Sequence, residues 1–465
     1  MVNVSAESGR SEAKWLGLLF DSSSHPPVPA IPDSFEEAGV SFSLVQQIAI
    51  KILYNRGDLM ARDLAASLGL KFRLIQEVLD DLKAQHLIEV KRSVGAGFIG
   101  DMNSIFALTE AGRDRARLYL ETNQYAGPVP VPAKQYSDLV LRQRQPNGWL
   151  TFDALKKAYT HMVVTHDLLW QLGPAINSGS SFLIYGKPGD GKTYLAESMA
   201  DLHNEAVFLP YAIEYQGNII QVYDPVYHVP YDPPQSDDGA TEQPFDGRWL
   251  RCKRPFIVSG GELTMDALEL SYNPISKIYE APLQMKANNG IYLVDDFGRQ
   301  KITPAELLNR WIVPMERRTD YLRFHTGGKM TVPFETFLVF STNLIPDQLG
   351  DEAFLRRIRY KLLVPSPEEA EFCEIFRRCC AAHGFTCNEK ALDRFLEKHY
   401  RAVRKPLRRC HPRDVINHAI DLIEFGGRSH ELTEELLDHA YHNCFVQDDS
   451  ESTQFKGPRV QRQTA

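Results

Sequence analysis

The sequence lacks three features that would assign it to common classes of protein. No apolar run approaches the ~20 residues that span a bilayer, so we expect no membrane contact. The N-terminus has no cationic segment leading into a long apolar stretch, which predicts no secretory signal and a cytoplasmic location. Positive net charge is absent too: the formal charge is −8, so the whole chain has no attraction to nucleic acid.

Cysteines are few and poorly spaced for metal binding. The chain has seven cysteines, and this odd number argues against a disulfide framework. No CxxC pair is present, which argues against a zinc site. Cys373, Cys379, Cys380 and Cys387 lie in a segment with helical periodicity, and we interpret them as buried thiols rather than zinc ligands. The remaining composition, 43% apolar and 24% charged, is that of a globular protein. A length of 465 residues predicts roughly three domains.

The first periodic region of the chain resembles a winged helix-turn-helix. Apolar residues recur at helical spacing in three stretches, with a turn at Gly69-Leu70, and two strand-like segments follow, Leu87–Val90 and Ile105–Leu108. The third helix mixes basic and acidic side chains: Lys71, Arg73 and Lys83 against Glu77, Asp80 and Asp81. This mixture is a weak match to phosphates, which dominate DNA affinity. DNA binding through residues 41–120 and docking on a protein both remain open.

Composition divides the rest of the chain. A proline-rich stretch from Tyr125 to Pro132 predicts a stiff linker, and apolar strands then alternate with helices, a pattern typical of a parallel α/β sheet. The predicted segments are a disordered tail (1–40), the winged helix-turn-helix (41–120), a proline-rich linker (121–149), an α/β core (150–365), a helical domain (366–446) and a flexible tail (447–465).

The most specific motif is GKPGDGKT at residues 186–193, which has the form GxxxxGK[ST]. An apolar strand, Ser181–Tyr185, precedes it and a helical stretch follows, the context that this phosphate-binding loop requires. Lys192 is expected to neutralise the β/γ-phosphates and Thr193 to bind Mg²⁺, so the predicted cofactors are ATP and Mg²⁺. The predicted nucleotide-binding residues are Gly186, Pro188, Gly189, Asp190, Gly191, Lys192, Thr193 and Tyr194.

Two further strands end in polar side chains. The apolar run Gly290–Val294 leads to Asp295 and Asp296 at its carboxyl end, where open α/β sheets place their sites. We predict that Asp295 holds Mg²⁺ and that Asp296 orients or deprotonates the attacking water. The next apolar strand ends near Asn343, which is expected to position this water or contact the γ-phosphate.

Arginines follow at two places where a helix boundary is expected. Arg356 and Arg357 lie where one helical stretch ends, and Arg413 lies in the first turn of a later helix that begins at His411-Pro412. A solvated basic turn is the alternative interpretation of each arginine. We predict that Arg413 reaches the nucleotide from the helical domain.

In this order the motifs resemble Walker A, Walker B, sensor 1, arginine finger and sensor 2 of an AAA+ ATPase, over about residues 150–445. Thr319–Val332, directly before the sensor-1 strand, resembles the hairpin of MoxR-like ATPases, Clp-type unfoldases and enhancer-binding activators. Ala353–Arg357 is most similar to MoxR-like and Clp-like sequences. The resemblance implies a P-loop NTPase core with a helical lid, assembled as a ring homo-oligomer, expected to be a hexamer. Arg356 or Arg357 then acts in the neighbouring subunit's site.

One residue departs from the family pattern. The family usually has Glu at the position of Asp296, and the shorter side chain predicts slow hydrolysis. The first interpretation is an ATP-hydrolysing ring that remodels an unidentified protein partner chosen by the N-terminal module. The second is an ATP-gated, DNA-binding transcriptional regulator, and the third is an ATP-binding scaffold with little turnover.

Residues 214–258 lengthen the interval between the two nucleotide motifs and are rich in Tyr and Pro, with an acidic run at Ser236–Asp238. We interpret them as a surface loop, with contact to substrate or a partner as the alternative. Tyr272 and Tyr279 are candidates for pore-facing aromatics, although we favour packing in the core.

Overall fold

The computed structural model describes residues 20–21, 27–92, 102–146, 148–202, 205–231, 245–349, 355–426 and 431–445. Most of the predicted N-terminal tail, all of the predicted C-terminal tail, residues 93–101 between the two strand-like segments and the acidic run Ser236–Asp238 lie outside the described residues. The chain divides into two compact units, which are treated separately below. The first contains residues 1–158, 167–185 and 193–362, and the second contains residues 159–166, 186–192 and 363–465.

The described strands, numbered in chain order, are β1 (Phe20–Asp21), β2 (Val28–Pro29), β3 (Leu59–Met60), β4 (Ile88–Arg92), β5 (Ile105–Leu108), β6 (Val131–Pro132), β7 (Phe182–Tyr185), β8 (Ala206–Pro210), β9 (Ala212–Tyr215), β10 (Asn218–Gln221), β11 (Trp249–Lys253), β12 (Phe256–Ser259), β13 (Ser271–Asn273), β14 (Ile278–Glu280), β15 (Ile291–Val294), β16 (Thr319–Arg323), β17 (Lys329–Pro333), β18 (Phe337–Thr342) and β19 (Tyr360–Leu363).

The described α-helices are α1 (Phe35–Ala38), α2 (Phe42–Arg56), α3 (Ala61–Leu68), α4 (Phe72–Ala84), α5 (Glu110–Thr122), α6 (Ala133–Arg142), α7 (Phe152–Ala158), α8 (His166–Ser178), α9 (Lys192–Glu197), α10 (Leu283–Lys286), α11 (Pro304–Arg317), α12 (Glu369–Ala382), α13 (Glu389–Leu396), α14 (His411–Gly426) and α15 (Glu434–Cys444). None of these helices is long and apolar enough to cross a membrane.

A five-stranded sheet forms the centre of the first unit and confirms the predicted α/β class with a parallel sheet. Its strand order is β12-β15-β18-β7-β19, and the β12–β15, β15–β18 and β18–β7 pairs are parallel. Every residue of β15 and β18 is buried, as expected for parallel strands covered on both faces. The edge strand β12 was missed, because its short apolar run falls at the end of the segment that we assigned to an insert.

The hairpin β16–β17 lies between helix α11 and strand β18 and is antiparallel over its whole length. Its base is fixed by Arg310 of α11, whose Nη1 donates to the buried carboxylate of Asp320 at 2.7 Å. Its tip is fixed by Phe324, which packs edge-to-face on Tyr279 with ring centroids 4.9 Å apart. Tyr279 is buried, so it packs in the core rather than facing a pore.

The segment 214–258 is not the surface loop that we predicted. Its described residues include β10, β11 and part of β9, and a second five-stranded sheet has the order β13-β14-β10-β9-β6. Ile220 and Val222 are fully buried in the same core as Ile213, which directly precedes the segment, and Tyr136 of α6. Tyrosine and proline made the composition resemble a loop, whereas the buried isoleucines and valine make the segment part of a core.

The predicted linker and N-terminal tail also differ from the structure. Helix α6 lies inside the expected linker, and its residues Tyr136 and Leu139 are fully buried. Helix α1 lies inside the expected tail, where the Ser34 side chain accepts the backbone N–H of Glu37 as an N-cap. Both segments contribute apolar side chains to the cores around them, which explains why they are ordered.

The N-terminal helices α2, α3 and α4 pack with a three-stranded antiparallel sheet of order β3-β5-β4. Their core includes Val129, Ala212 and Ile219, which lie in or beside the second sheet. Gly69 lies so close to the backbone of Gly247 that a Cβ at Gly69 would be 2.6 Å from its carbonyl carbon. The N-terminal helices therefore pack directly against the second sheet and share a core with it.

Helices α12 to α15 form the core of the second unit, built from apolar side chains such as Phe372, Phe376 and Leu392. Cys380 is buried in this core, and its burial raises the pKa of the thiol to about 12.

Candidate nucleotide-binding site

At the carboxyl edge of the parallel sheet, the first unit brings together the two predicted metal ligands. The hydroxyl of Thr193 donates to Oδ2 of Asp295 at 2.9 Å and lies 3.2 Å from Oδ1. Asp295 directly follows β15, and its backbone N–H donates to the carbonyl of Ser259 at the end of neighbouring β12. A hydroxyl and a carboxylate held at this spacing are two oxygen ligands of the kind that Mg²⁺ prefers.

Asp296 lies at the same edge beside the predicted sensor residue. The Nδ2 of Asn343 donates to Oδ1 of Asp296 at 2.9 Å, and Asn343 directly follows β18, which lies next to β15. Asp296 is exposed and has a φ of +49°, in the left-handed region that non-glycine residues seldom adopt. The turn therefore directs the Asp296 carboxylate outward, and the Asn343 amide holds it there.

Two residues that sequence reasoning missed hold this acidic turn in place. Gln300 donates Nε2 to the carbonyl of Asp295 at 2.7 Å and accepts the N–H of Gly298 at 2.8 Å. The Thr342 hydroxyl donates to the carbonyl of Phe297 at 2.7 Å. All three hydrogen bonds are made to the backbone, so no motif in the sequence indicates them.

The predicted phosphate-binding loop, residues 186–192, belongs to the second unit and has the backbone that its glycines predict. Gly189 and Gly191 have φ of +80° and +81°. A Cβ at Gly189 would lie 2.5 Å from Sγ of Cys410, so a larger residue does not fit there. The Nζ of Lys192 donates to the carbonyl of Lys187 at 2.9 Å, which holds the ammonium across the loop.

Asp190, inside this loop, is tied to the helical domain of the same unit. Its Oδ2 accepts from the Ser366 hydroxyl at 2.9 Å and lies 3.5 Å from Nη1 of Arg408. Its Oδ1 is buried and has no hydrogen-bond partner in the part of the chain that the structure describes. Burial raises the pKa of Asp190, although Ser366 and Arg408 oppose the shift.

Two arginines that sequence reasoning did not single out, Arg408 and Arg409, lie next to the loop. The side chain of Arg413 is 67% exposed, and its guanidinium is hydrogen-bonded to the adjacent Asp414. The backbone N–H of Cys410 donates to the carbonyl of Gly189 at 2.9 Å, so the residues just before α14 are those that meet the loop. The sequence pattern indicates an arginine inside the helix, whereas the segment that leads into the helix makes these contacts with the loop.

Arg356 and Arg357 lie at the opposite edge of the sheet from Asp295 and Asp296. They precede β19, and Ser181, which precedes β7, donates its hydroxyl to the carbonyl of Arg357 at 3.0 Å. The intervening strands are four to six residues long, which at ~3.3 Å per residue separates the two edges by roughly 13 Å or more. Within one chain the first unit therefore does not bring these arginines to the acidic residues.

The two arginines also differ in their surroundings. Arg356 is exposed, whereas Nε of Arg357 donates to Oε1 of Glu316 at 3.0 Å.

Two other predicted nucleotide-binding residues, Pro188 and Tyr194, are exposed, Tyr194 by 52%.

Comparisons with known proteins give one family match and several distant structural similarities. Residues 368–443 match a family described as a domain of unknown function (DUF8689), and this range includes Arg408. No curated protein sequence matches the chain.

Among solved structures, NtrX from Brucella abortus is 14% identical with a TM-score of 0.38, over 74% of this chain and 62% of that chain. A second NtrX structure, in complex with ATP, is 14% identical with a TM-score of 0.36, over 72% and 62%. A point mutant of RuvB from Thermotoga maritima is 14% identical with a TM-score of 0.33, over 63% and 69%. These are distant structural similarities to AAA+ ATPases, and they carry no argument about activity. The chain spans about 62% of the length of the NtrX chains that it matches.

Proposed function

We propose that this protein is a Mg²⁺-dependent ATPase of the AAA+ type that works as a ring. The observation that carries the proposal is the hydrogen bond between Thr193 and Asp295 at 2.9 Å, with Asp296 and Asn343 beside it. Thr193 directly follows Lys192 in the phosphate-binding motif, so the motif that holds phosphates continues into the proposed metal ligands.

Each residue at the carboxyl edge then has a defined task. Thr193 and Asp295 would hold Mg²⁺, which when bound neutralises charge on the phosphate oxygens. Asp296 accepts a proton from the attacking water at its carboxylate, and the Asn343 amide keeps that carboxylate oriented. In the loop, the Lys192 ammonium and the backbone N–H groups around Gly189 and Gly191 bind phosphate oxygens.

We infer that Arg356 acts in a neighbouring subunit. Its position at the opposite edge of the sheet supports action in trans, and its exposure leaves the guanidinium accessible to a second copy of the chain. Arginine fingers stabilise the charge of the transition state and contribute roughly 10³–10⁵ in rate, so activity would depend on assembly. A hexameric ring of the MoxR-like or Clp-like kind remains our proposal for that assembly.

We further infer that helices α2 to α4 and strands β3 to β5 form a winged helix-turn-helix that docks on a protein partner. Several of its lysines are paired with carboxylates, since Lys71 pairs with Asp33 and Lys83 with Asp80 at 2.6 Å. In the wing, Lys91 lies 3.6 Å from Glu89. Neutralised lysines favour protein docking over DNA, because phosphate contacts supply most of DNA affinity.

The test separates an ATPase from an ATP-binding scaffold. The full chain is assayed for phosphate release with Mg²⁺ and with a chelator, next to Thr193→Val and Thr193→Ser. We expect Mg²⁺-dependent hydrolysis that the valine variant loses and the serine variant keeps, because only valine removes the oxygen ligand. A wild-type chain that binds ATP but releases no phosphate at any protein concentration would support the ATP-binding scaffold instead. The short Asp296 side chain would then explain the lack of hydrolysis.

The partner is sought with a chain that binds ATP without hydrolysing it. An Asp296→Asn variant is used as bait with ATP, and Lys192→Ala is the matched control that does not load nucleotide. A protein captured by the first bait and not by the second is a candidate substrate. Duplex DNA retained by the first bait and not by the second would favour the ATP-gated regulator.

A further inference from the structure

A cavity of about 150 Å³ opens at the amino edge of the parallel sheet, in the first unit. It lies where β18, β7 and β19 begin, since Thr336, Ser181 and Arg359 directly precede these three strands. Arg318, the C-cap residue of α11, and Arg357 complete its polar wall, and the rest of the lining is mainly apolar. We call this space the amino-edge cavity.

Three arginines line the amino-edge cavity, and none of its described lining residues is acidic. Arg318 is half-buried and donates to the carbonyl of Gly179 at 2.8 Å. Arg357 is oriented by Glu316, and the guanidinium of Arg359 lies 5.4 Å from the ring centroid of Tyr360. Glu316 offsets part of the charge of Arg357 and Glu335 part of that of Arg318, and the positive charge that remains favours an anion among the three arginines.

A neighbouring cavity differs from the amino-edge cavity in having a carboxylate of the chain in its lining. It measures about 80 Å³, shares Arg318, and is also lined by Arg144 and Arg254. That second space contains the buried carboxylate of Glu335, whose Oε2 lies 3.4 Å from Nε of Arg144. The chain therefore places a carboxylate inside the neighbouring cavity, whereas Glu316, the carboxylate that orients Arg357, does not line the amino-edge cavity, and no acidic residue in the described part of the chain does.

The donors that line the amino-edge cavity indicate the chemistry of the ligand. Arginine offers a planar fork of N–H donors that fits phosphate oxygens, and the hydroxyls of Ser180 and Ser181 also line the cavity. The volume admits a group of the size of phosphate, because a cavity of this size holds a molecule as large as benzene. We propose that the amino-edge cavity binds a phosphate group through Arg318, Arg357 and Arg359.

This site is distinct from the Asp295–Asp296 edge, from which the strands of the sheet separate it. The proposal does not depend on ATP hydrolysis, and it can be tested where the phosphate-binding loop is disabled. The full chain carrying Lys192→Ala is titrated with inorganic phosphate at constant ionic strength, with chloride as the balancing anion. Binding is followed by calorimetry.

We expect saturable phosphate binding that Arg359→Ala weakens at least tenfold and Arg359→Lys weakens less, because lysine keeps the charge without the fork. Arg317→Ala is the matched control, since Arg317 is exposed, adjoins Arg318 and does not line the cavity. Circular dichroism checks that each variant is folded. An absence of saturable binding, or equal weakening by the Arg317 and Arg359 variants, would overturn the site in favour of general charge attraction.

Competition then identifies the source of the phosphate group. ATP that displaces inorganic phosphate from the Lys192→Ala chain would assign the site to a nucleotide. Displacement by pyrophosphate but not by ATP would assign it to a small free phosphate. Either result supports the site, provided that Arg359→Ala abolishes the competition.

Discussion

The side-chain amide of Asn343 donates a 2.9 Å hydrogen bond to the carboxylate of Asp296, although 47 positions separate the two residues in the sequence. They meet because β18 and β15 are parallel neighbours whose carboxyl ends lie at the same edge. Asp296 has an exposed carboxylate on a turn with positive φ, and such strain is often found at functional sites. This pair is therefore the most informative place to separate catalysis from nucleotide binding.

We predict that Asp296→Asn lowers ATP hydrolysis by about 10²-fold or more while leaving ATP affinity near that of the wild type. The amide cannot accept the water proton, whereas Asp295 and Thr193 still provide the metal ligands. Single-turnover phosphate release measures the first quantity, and titration with a fluorescent ATP analogue measures the second. Asn343→Ala should slow hydrolysis less, because the Asp296 carboxylate that accepts the proton is still present. Unchanged turnover in Asp296→Asn would mean that another carboxylate acts as the base.

The two lysines of the phosphate-binding loop provide a matched pair. Lys192→Ala should lower ATP affinity by about a hundredfold or more, because the ammonium supplies charge-assisted hydrogen bonds to the phosphates. Lys187→Ala should bind ATP nearly as well as the wild type, because its side chain is exposed and only its backbone carbonyl contacts Lys192. Analogue titration and circular dichroism of both variants test this. Equal loss in the two variants would mean that the loop responds only to total charge.

The second unit contains a buried histidine that links stability to pH. Burial, aided by the nearby Lys405 and Arg408, lowers the pKa of His411 from 6.5 to about 4, and Tyr400 lies 2.9 Å from its Nδ1. The unfolded chain binds the proton more readily, so stability from neutral His411 is present above pH 6.5 and is lost as the pH falls towards 4. The shift corresponds to about 3 kcal/mol as an upper order of magnitude.

We therefore predict that His411→Asn flattens the rise in unfolding free energy between about pH 4.5 and about pH 6.5, the upper part of that titration window. Urea denaturation at a series of pH values measures this slope. His418→Gln, at an exposed position of the same helix, is the control and should keep the wild-type slope. Identical slopes in wild type and His411→Asn would show that the acid sensitivity arises elsewhere.

Local motifs made the acidic edge predictable from sequence. Each strand there is a short apolar run, and Asp295 and Asn343 each follow such a run directly, so strand ends and polar side chains could be assigned together. The parallel order of β15 and β18 then brings Asp296 and Asn343 into contact, as expected for residues at the same ends of neighbouring strands.

Non-local contacts explain what sequence reasoning missed. Strand β6 pairs with β9 through Val131 and Ile213, which lie far apart in the sequence. The composition of the residues between them does not indicate that the two strands pair. The close approach of Gly69 and Gly247 requires that neither residue has a side chain, and no sequence motif links the two positions. Arg408 was missed for the same reason. A hydrogen bond from the backbone N–H of Cys410 to the carbonyl of Gly189 brings its segment to the loop, and helical periodicity in the sequence does not indicate this contact.

The last prediction concerns assembly. If the exposed Arg356, with Arg357 beside it, acts on a neighbouring subunit, specific ATPase activity must rise with protein concentration as rings form. Neither the double variant Arg356→Ala/Arg357→Ala nor Lys192→Ala should be active alone, because each lacks one half of every composite site. Mixing them should restore part of the activity, since some interfaces then pair an intact loop with an intact finger. Phosphate release from mixtures at several ratios measures the rescue.

The controls separate a finger from a structural arginine. Circular dichroism confirms that both variants are folded, and light scattering with ATP confirms that they assemble together. Arg317→Ala, an exposed arginine on the same side of the sheet, should retain wild-type activity. A purely structural role predicts no rescue, because the double variant would then be damaged within its own fold. Folded, co-assembled variants that show no rescue, together with wild-type activity independent of concentration, would exclude a ring ATPase and favour the nucleotide-gated regulator.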